Sequence, residues 1–148
     1  HKFPNVVEPA VNGEVRILHE DEALIVVNKP APLPMHAAGR FNRNTLQFIL
    51  NAVYYPEKPR QAHRLDANTT GLVLLTRSRQ FAARLQPQFA SGKVEKVYLV
   101  RVQGCPAAEA FSCDAPISSK AGEVGTRKVD LEQGTRRTLE WYRGARWL

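Results

Sequence analysis

The 148-residue chain is 43% hydrophobic and 24% charged, which supplies one packed domain and excludes wholesale disorder. Lys and Arg number 21 against 14 Asp and Glu, a net charge of +7 with a pI near 9.8, so the partner is expected to be polyanionic unless the charge serves only solubility. No run of 18 apolar residues exists, which excludes a membrane-spanning helix, and no signal-peptide pattern is visible at the N-terminus.

Residues 1–14, punctuated by Pro4, Pro9 and Gly13, read as an extended lead-in segment, and 15–148 as one domain. The chain opens on His1 and Met35 is its one methionine, so a longer parent protein is expected. Val15–His19 and Ala23–Asn28 are β-rich runs around the acidic turn Glu20-Asp21-Glu22 and predict a hairpin. Lys29-Pro30 closes the second strand, and Pro30, Pro32 and Pro34 forbid regular structure until about residue 41. Asn44 or Thr45 caps a helix whose Leu46, Ile49, Leu50 and Val53 fall at helical spacing, and Pro56 and Pro59 close it. Residues 60–71 read as a polar loop or an irregular strand. Leu72-Val73-Leu74-Leu75 is a continuous apolar run, which suits a strand buried on both faces. Ser78 caps a second helix with Phe81, Ala82 and Leu85 on one face, which Pro87 interrupts or resets. Val97–Val102 alternates as a strand, residues 103–124 are loop-rich, and Arg127–Leu131 and Arg137–Arg143 are weaker strand candidates. The pattern predicts an α+β domain with a mixed, mainly antiparallel sheet and flanking helices.

Charge is uneven along this order. Residues 76–101 carry Arg77, Arg79, Arg84, Lys93, Lys96 and Arg101 against Glu95 alone, which makes them a candidate phosphate-contacting surface or a solvated face. Cys105 and Cys113, eight positions apart with no second pair and no nearby histidine, do not form a zinc site. They read as two thiols in a reducing compartment, the cytoplasm, with a disulfide left open because spacing does not decide it.

His63-Arg64-Leu65-Asp66 carries the most pointed chemistry. If Arg64 to Asp66 are extended, a guanidinium and a carboxylate share one face beside a core strand. Thr69, Thr70 and Gly71 offer hydroxyls, backbone donors and a bend that could hold the carboxylate. A structural Arg–Asp pair finishing a loop fits the same residues, so chemistry alone leaves both readings open.

The stretch HRLDANTTGLVLLTRS resembles the signature of the RluA-type RNA pseudouridine synthases. Two further stretches agree in order. HEDEALIVVNKP, residues 19–30, is similar to the family's early hairpin ending in Lys-Pro, with His36 where a histidine often follows. KVEKVYLVRVQG, residues 93–104, is similar to its Lys-x-Tyr strand. The resemblance implies an isomerase that converts uridine to pseudouridine in ribosomal or transfer RNA. It makes Asp66 the essential carboxylate, acting as nucleophile or base. It makes Arg64 the arginine that enters the RNA stack where the target nucleotide leaves, and Tyr98 the tyrosine packed on the flipped uracil. No water is consumed and no redox change occurs, so neither a metal nor a redox cofactor is required. The implied partner is RNA, with no membrane.

The sequence also departs from the family. The later strand reading like T-G-R-T-H-Q-I-R, whose arginine pairs with the catalytic carboxylate, is not found, and Gly134-Thr135-Arg136-Arg137 is a poor substitute. The expectation is therefore a catalytic domain incomplete at its C-terminus. The alternative is a non-catalytic RNA-binding module of the same fold. Intact Asp66, Arg64 and Tyr98 favour the enzyme, since a carboxylate near phosphate repels RNA. A metal-dependent nuclease fares badly, because residues 31–101 hold only Glu57, Asp66 and Glu95 as acids.

Overall fold

The computed structural model describes residues 7–102, 104–105, 107–108, 110–113, 116–117, 135–136 and 139–142. Contacts divide the chain into two compact units, His1–Val97 and Tyr98–Leu148.

The first unit is built on a four-stranded antiparallel sheet in the order β1-β2-β4-β3. Its strands are β1 (Arg16–Glu20), β2 (Leu24–Lys29), β3 (Arg60–Gln61) and β4 (Gly71–Thr76). The predicted hairpin is β1 and β2. Its turn is held by the Asp21 carboxylate, which accepts from the backbone N–H groups of Ala23 and Leu24, both at 2.7 Å. Ile25 faces Leu75 and Val27 faces Val73, so these four share one side of the sheet and all are fully buried. Leu33, Met35, Leu46, Leu50 and Leu65 complete the core on that side. Each such apolar side chain contributes about 1.5–3 kcal/mol on burial. Lys29 takes the next place on the same face, opposite Gly71.

Helix α1 (Leu46–Val53) begins at Thr45, whose hydroxyl accepts the Phe48 N–H at 3.2 Å. Leu46 and Leu50 pack inward, whereas Val53 is exposed. Helix α2 (Arg79–Ala90) begins at Ser78, whose hydroxyl accepts the Phe81 N–H. It runs through Pro87 to Ala90, so the expected interruption does not occur. Proline lacks one N–H, and so close to the helix end little of the hydrogen-bond ladder remains to be broken. Among the described residues no helix is long and apolar enough to cross a membrane.

The second unit contains two antiparallel pairs. In one, β5 (Ala110–Cys113) pairs with β8 (Leu139–Tyr142); in the other, β6 (Pro116–Ile117) pairs with β7 (Thr135–Arg136). Strand β8 falls inside one weak strand candidate, while 127–131 lies outside the described residues. The strands at 110–113 and 116–117 arise within a stretch read as loop-rich. The predicted strand Val97–Val102 is not formed, and Val97, Tyr98, Leu99, Val100 and Val102 are all exposed. An extended segment becomes a strand when a neighbour takes its N–H and C=O groups, and no described strand pairs with this one. The observed architecture is α+β with antiparallel pairing throughout the described strands.

Candidate active site

Between β3 and β4 the chain leaves the sheet as the loop 62–70, which carries the His-Arg-Leu-Asp motif. Leu65 turns inward, 8% exposed, and joins the core. Its neighbours Arg64 and Asp66 are both exposed. The inward anchor between them gives the alternation the extended reading required, with guanidinium and carboxylate directed away from the core. Among the described residues the ion pairs are His19–Asp21, Arg77–Glu20 and Arg77–Glu57, so Asp66 and Arg64 are not tied to each other as a structural pair.

The loop is fixed from its backbone. The Thr69 N–H donates to the Asp66 carbonyl at 3.1 Å, closing a tight turn over Asp66–Thr69. Thr69 therefore holds the backbone of Asp66, where the sequence reading had offered its groups to the carboxylate. Gly71 then re-enters the sheet at φ +126°, a conformation L side chains rarely adopt.

The main support comes from a residue that sequence reasoning assigned only to ending a strand. Lys29 is 0% exposed. Its ammonium donates to the carbonyls of Leu33 at 2.9 Å, Pro30 at 3.0 Å and Ala67 at 3.2 Å. Three acceptors match the three N–H donors of an ammonium, which is how a buried cation becomes tolerable. Ala67 follows Asp66 directly, and its carbonyl also accepts the Leu33 N–H at 2.9 Å. The residue after the carboxylate is thus held from two directions. Burial pushes the Lys29 ammonium down from its ordinary value, while the negative charge of Asp66 pulls it back up. Lys29 is the cation that this site sets near Asp66. The signal was present in the sequence: with Ile25 and Val27 inward, alternation sends residue 29 inward too.

His63 lies at the start of the loop. Its Nε2 accepts the Leu74 N–H at 3.2 Å, and its ring stacks on Phe89 with centroids 4.5 Å apart. Burial pushes its imidazole below the usual histidine value, helped by nearby Lys96 and opposed by the Arg64 backbone. His36 is exposed on the proline-rich loop.

The basic block divides. Arg77 donates to Glu20, to Glu57 at 2.7 Å and to the Asp21 carbonyl at 2.7 Å, and lies over the Tyr54 ring. It pins the far end of the sheet and is committed to carboxylates. Arg79, Arg84, Lys93, Lys96 and Arg101 are exposed. Tyr98 opens the second unit and is 53% exposed.

The profile described as RNA pseudouridylate synthase matches residues 23–145 of the chain. Human pseudouridylate synthase RPUSD2 is 36% identical over 124 residues, covering 83% of this chain and 23% of that protein. The tRNA pseudouridine(31) synthase of Saccharomyces cerevisiae is 36% identical over 88 residues, covering 60% of this chain and 21% of that protein. The chain spans less than a quarter of the length of these two relatives. The solved structure of human RNA pseudouridylate synthase domain containing 1 matches with a TM-score of 0.67 at 22% identity, over 90% of this chain and 52% of that one, a likeness of fold.

Proposed function

The chain belongs to the RluA-type RNA pseudouridylate synthase family, and from that premise we propose that it isomerises specific uridines to pseudouridine in ribosomal or transfer RNA. The reaction breaks the bond between C1′ of the ribose and N1 of the uracil and forms one between C1′ and C5. A base removes the proton from C5, and N1 takes up a proton, so the step is redox-neutral and consumes no water. Asp66 is the reacting carboxylate in this reading, as nucleophile toward the sugar or ring, or as the base. Arg64, planar and always charged, enters the stack that the target nucleotide leaves and contacts phosphate. Tyr98 supplies the ring against which the flipped uracil rests.

The observation that carries the proposal is the exposed Asp66 on a backbone locked by a fully buried lysine. Preorganisation of this kind suits a reacting group, which loses rate when its position is loose. RNA is the proposed partner, through the exposed basic side chains after β4, and the cytoplasm the proposed compartment.

The test uses RNA labelled with tritium at uridine C5. Isomerisation releases the label to water, since C5 loses its hydrogen when it bonds to C1′. The intact protein is expected to release tritium from ribosomal or transfer RNA lacking the modification. Tight RNA binding with no release from either class would leave the non-catalytic RNA-binding module as the reading.

A further inference from the structure

We propose that His63 is a positioning residue: its imidazole stands in for a β-ladder carbonyl at Leu74, releasing the chain from the sheet and fixing where Asp66 is presented. The ladder between β3 and β4 pairs Arg60 with Thr76 and Gln61 with Leu75. The next pair is Ala62 and Leu74. Ala62 donates its N–H to the Leu74 carbonyl at 2.9 Å. In an antiparallel ladder such a pair exchanges both bonds, so Leu74 N–H should return to the Ala62 carbonyl. It goes instead to Nε2 of His63 at 3.2 Å.

The substitution has a geometric consequence. Keeping the Ala62 carbonyl on Leu74 would hold residue 62 straight and draw residue 63 into β3. With the ring accepting in its place, the backbone is free to turn at 62–63 while Leu74 stays satisfied. Arg64 and Asp66 then point outward and Leu65 inward. The other end of this segment is anchored at the Ala67 carbonyl by Lys29 and Leu33. The four residues Arg64–Ala67 are therefore strung between two fixed points, the His63 ring and the Ala67 carbonyl.

The ring itself is clamped, stacked on Phe89 of α2 at an interplanar angle of 17°. Accepting at Nε2 requires that the proton sit on Nδ1, which is buried and makes no well-formed hydrogen bond, the Arg64 backbone alone lying close enough to favour a proton on the ring. A buried donor so poorly satisfied calls for an explanation. Here it is the cost of the tautomer that makes Nε2 an acceptor. With Nε2 committed to the strand and Nδ1 buried, His63 acts through the loop and does not touch the reacting atoms.

This inference rests on Asp66 being the reacting carboxylate, and the experiment separates the two. The first measurement needs no activity: nitrogen-15 NMR of the histidine rings in the intact protein at neutral pH. The expected result is a neutral His63 with Nδ1 protonated and Nε2 unprotonated. Protonation at Nε2 would overturn the proposal, whatever the protein catalyses. The second compares His63→Phe with His63→Gln. Phenylalanine keeps the stack on Phe89 and lacks the acceptor, and the Gln side-chain oxygen reaches about as far as Nε2. For His63→Phe the single-turnover rate is expected to fall about 10–100-fold, with RNA affinity within about threefold of wild type. His63→Gln should recover at least about fivefold of that loss. A wild-type rate for His63→Phe, or equal losses in both variants, would reject the positioning role. A wild-type protein that releases no tritium would defeat the reading of Asp66, and the ring measurement would still decide the geometry at Leu74.

Discussion

Replacing Lys29 by methionine removes the ammonium and little else, because the two side chains are similar in length and the site is sealed from water. Three hydrogen bonds disappear. The Ala67 carbonyl keeps the Leu33 N–H, so it stays satisfied. The Leu33 carbonyl belongs to a fully buried residue, and leaving it without this donor costs about 1–3 kcal/mol. Pro30 is only partly buried, so water can replace part of what its carbonyl loses. Against this, the variant no longer has to desolvate a cation, an effect that can itself reach several kcal/mol. The two effects oppose each other, so the expected net change in stability is within about 1 kcal/mol of zero, and the urea midpoint should move by less than about 1 M at an unchanged slope. Asp66 remains in place chemically but loses one of the two bonds that hold its neighbour. The single-turnover rate should therefore fall by about tenfold or more, with RNA binding retained. The assays are urea unfolding and tritium release on the same preparations. A wild-type rate would refute the clamp's link to Asp66, and a midpoint lowered by more than about 1 M would refute the offset between the two effects.

Salt dependence tests the division of the basic block: if about four phosphates are engaged, log K should fall with log salt at a slope near −3. Arg84→Ala should flatten that slope by about one unit, whereas Arg77→Ala should leave it unchanged, since Arg77 is committed to Glu20 and Glu57. Equal changes in the two variants would contradict the division. Tyr98→Ala should cut the single-turnover rate about 10–100-fold, the worth of one stacked base, and a wild-type rate would remove Tyr98 from the site. Tyr98→Phe keeps the ring, and a fall of about 10²–10⁴-fold there would assign proton transfer to the hydroxyl. Finally, His63 titrates below its ordinary 6.5 in the fold, so the unfolded chain binds more protons there. Stability should fall as pH drops below 6.5 toward the lowered folded value, while Glu8 and Asp21, both also held low, act only in more acid solution. His63→Phe should abolish the upper part of that loss; a pH profile identical to wild type between about pH 5 and 6.5 would contradict the assignment.

What was legible in the sequence follows from which forces are local. The β-rich run 24–29, the apolar run 72–75 and the caps Thr45 and Ser78 each have a short-range cause, and each forms its element where it was read. The run 72–75, however, is buried on one face only, with Leu72 57% exposed, where a strand buried on both faces was expected. The motif loop was legible too, through Leu65 alternating with its two outward neighbours. The partners of that loop were not, because they join residues far apart in the chain: Lys29 with Ala67, His63 with Leu74, Arg77 with Glu20 and Glu57. A lysine before proline reads locally as a strand end, and only the inward phase of β2 betrays that it is buried. The segment 97–102 has the right alternation and no described strand beside it, since a sheet partner is a property of the fold and not of the six residues.

The most direct test of the central claim is tritium release by Asp66→Asn beside wild type, with RNA affinity measured on the same samples. The amide keeps the size of the carboxylate but cannot serve as nucleophile or base, and loss of a negative charge does not weaken phosphate contacts. The account predicts release below about one per cent of wild type, with affinity within about tenfold. Release above that level with the RNA bound normally would contradict Asp66 as the reacting carboxylate.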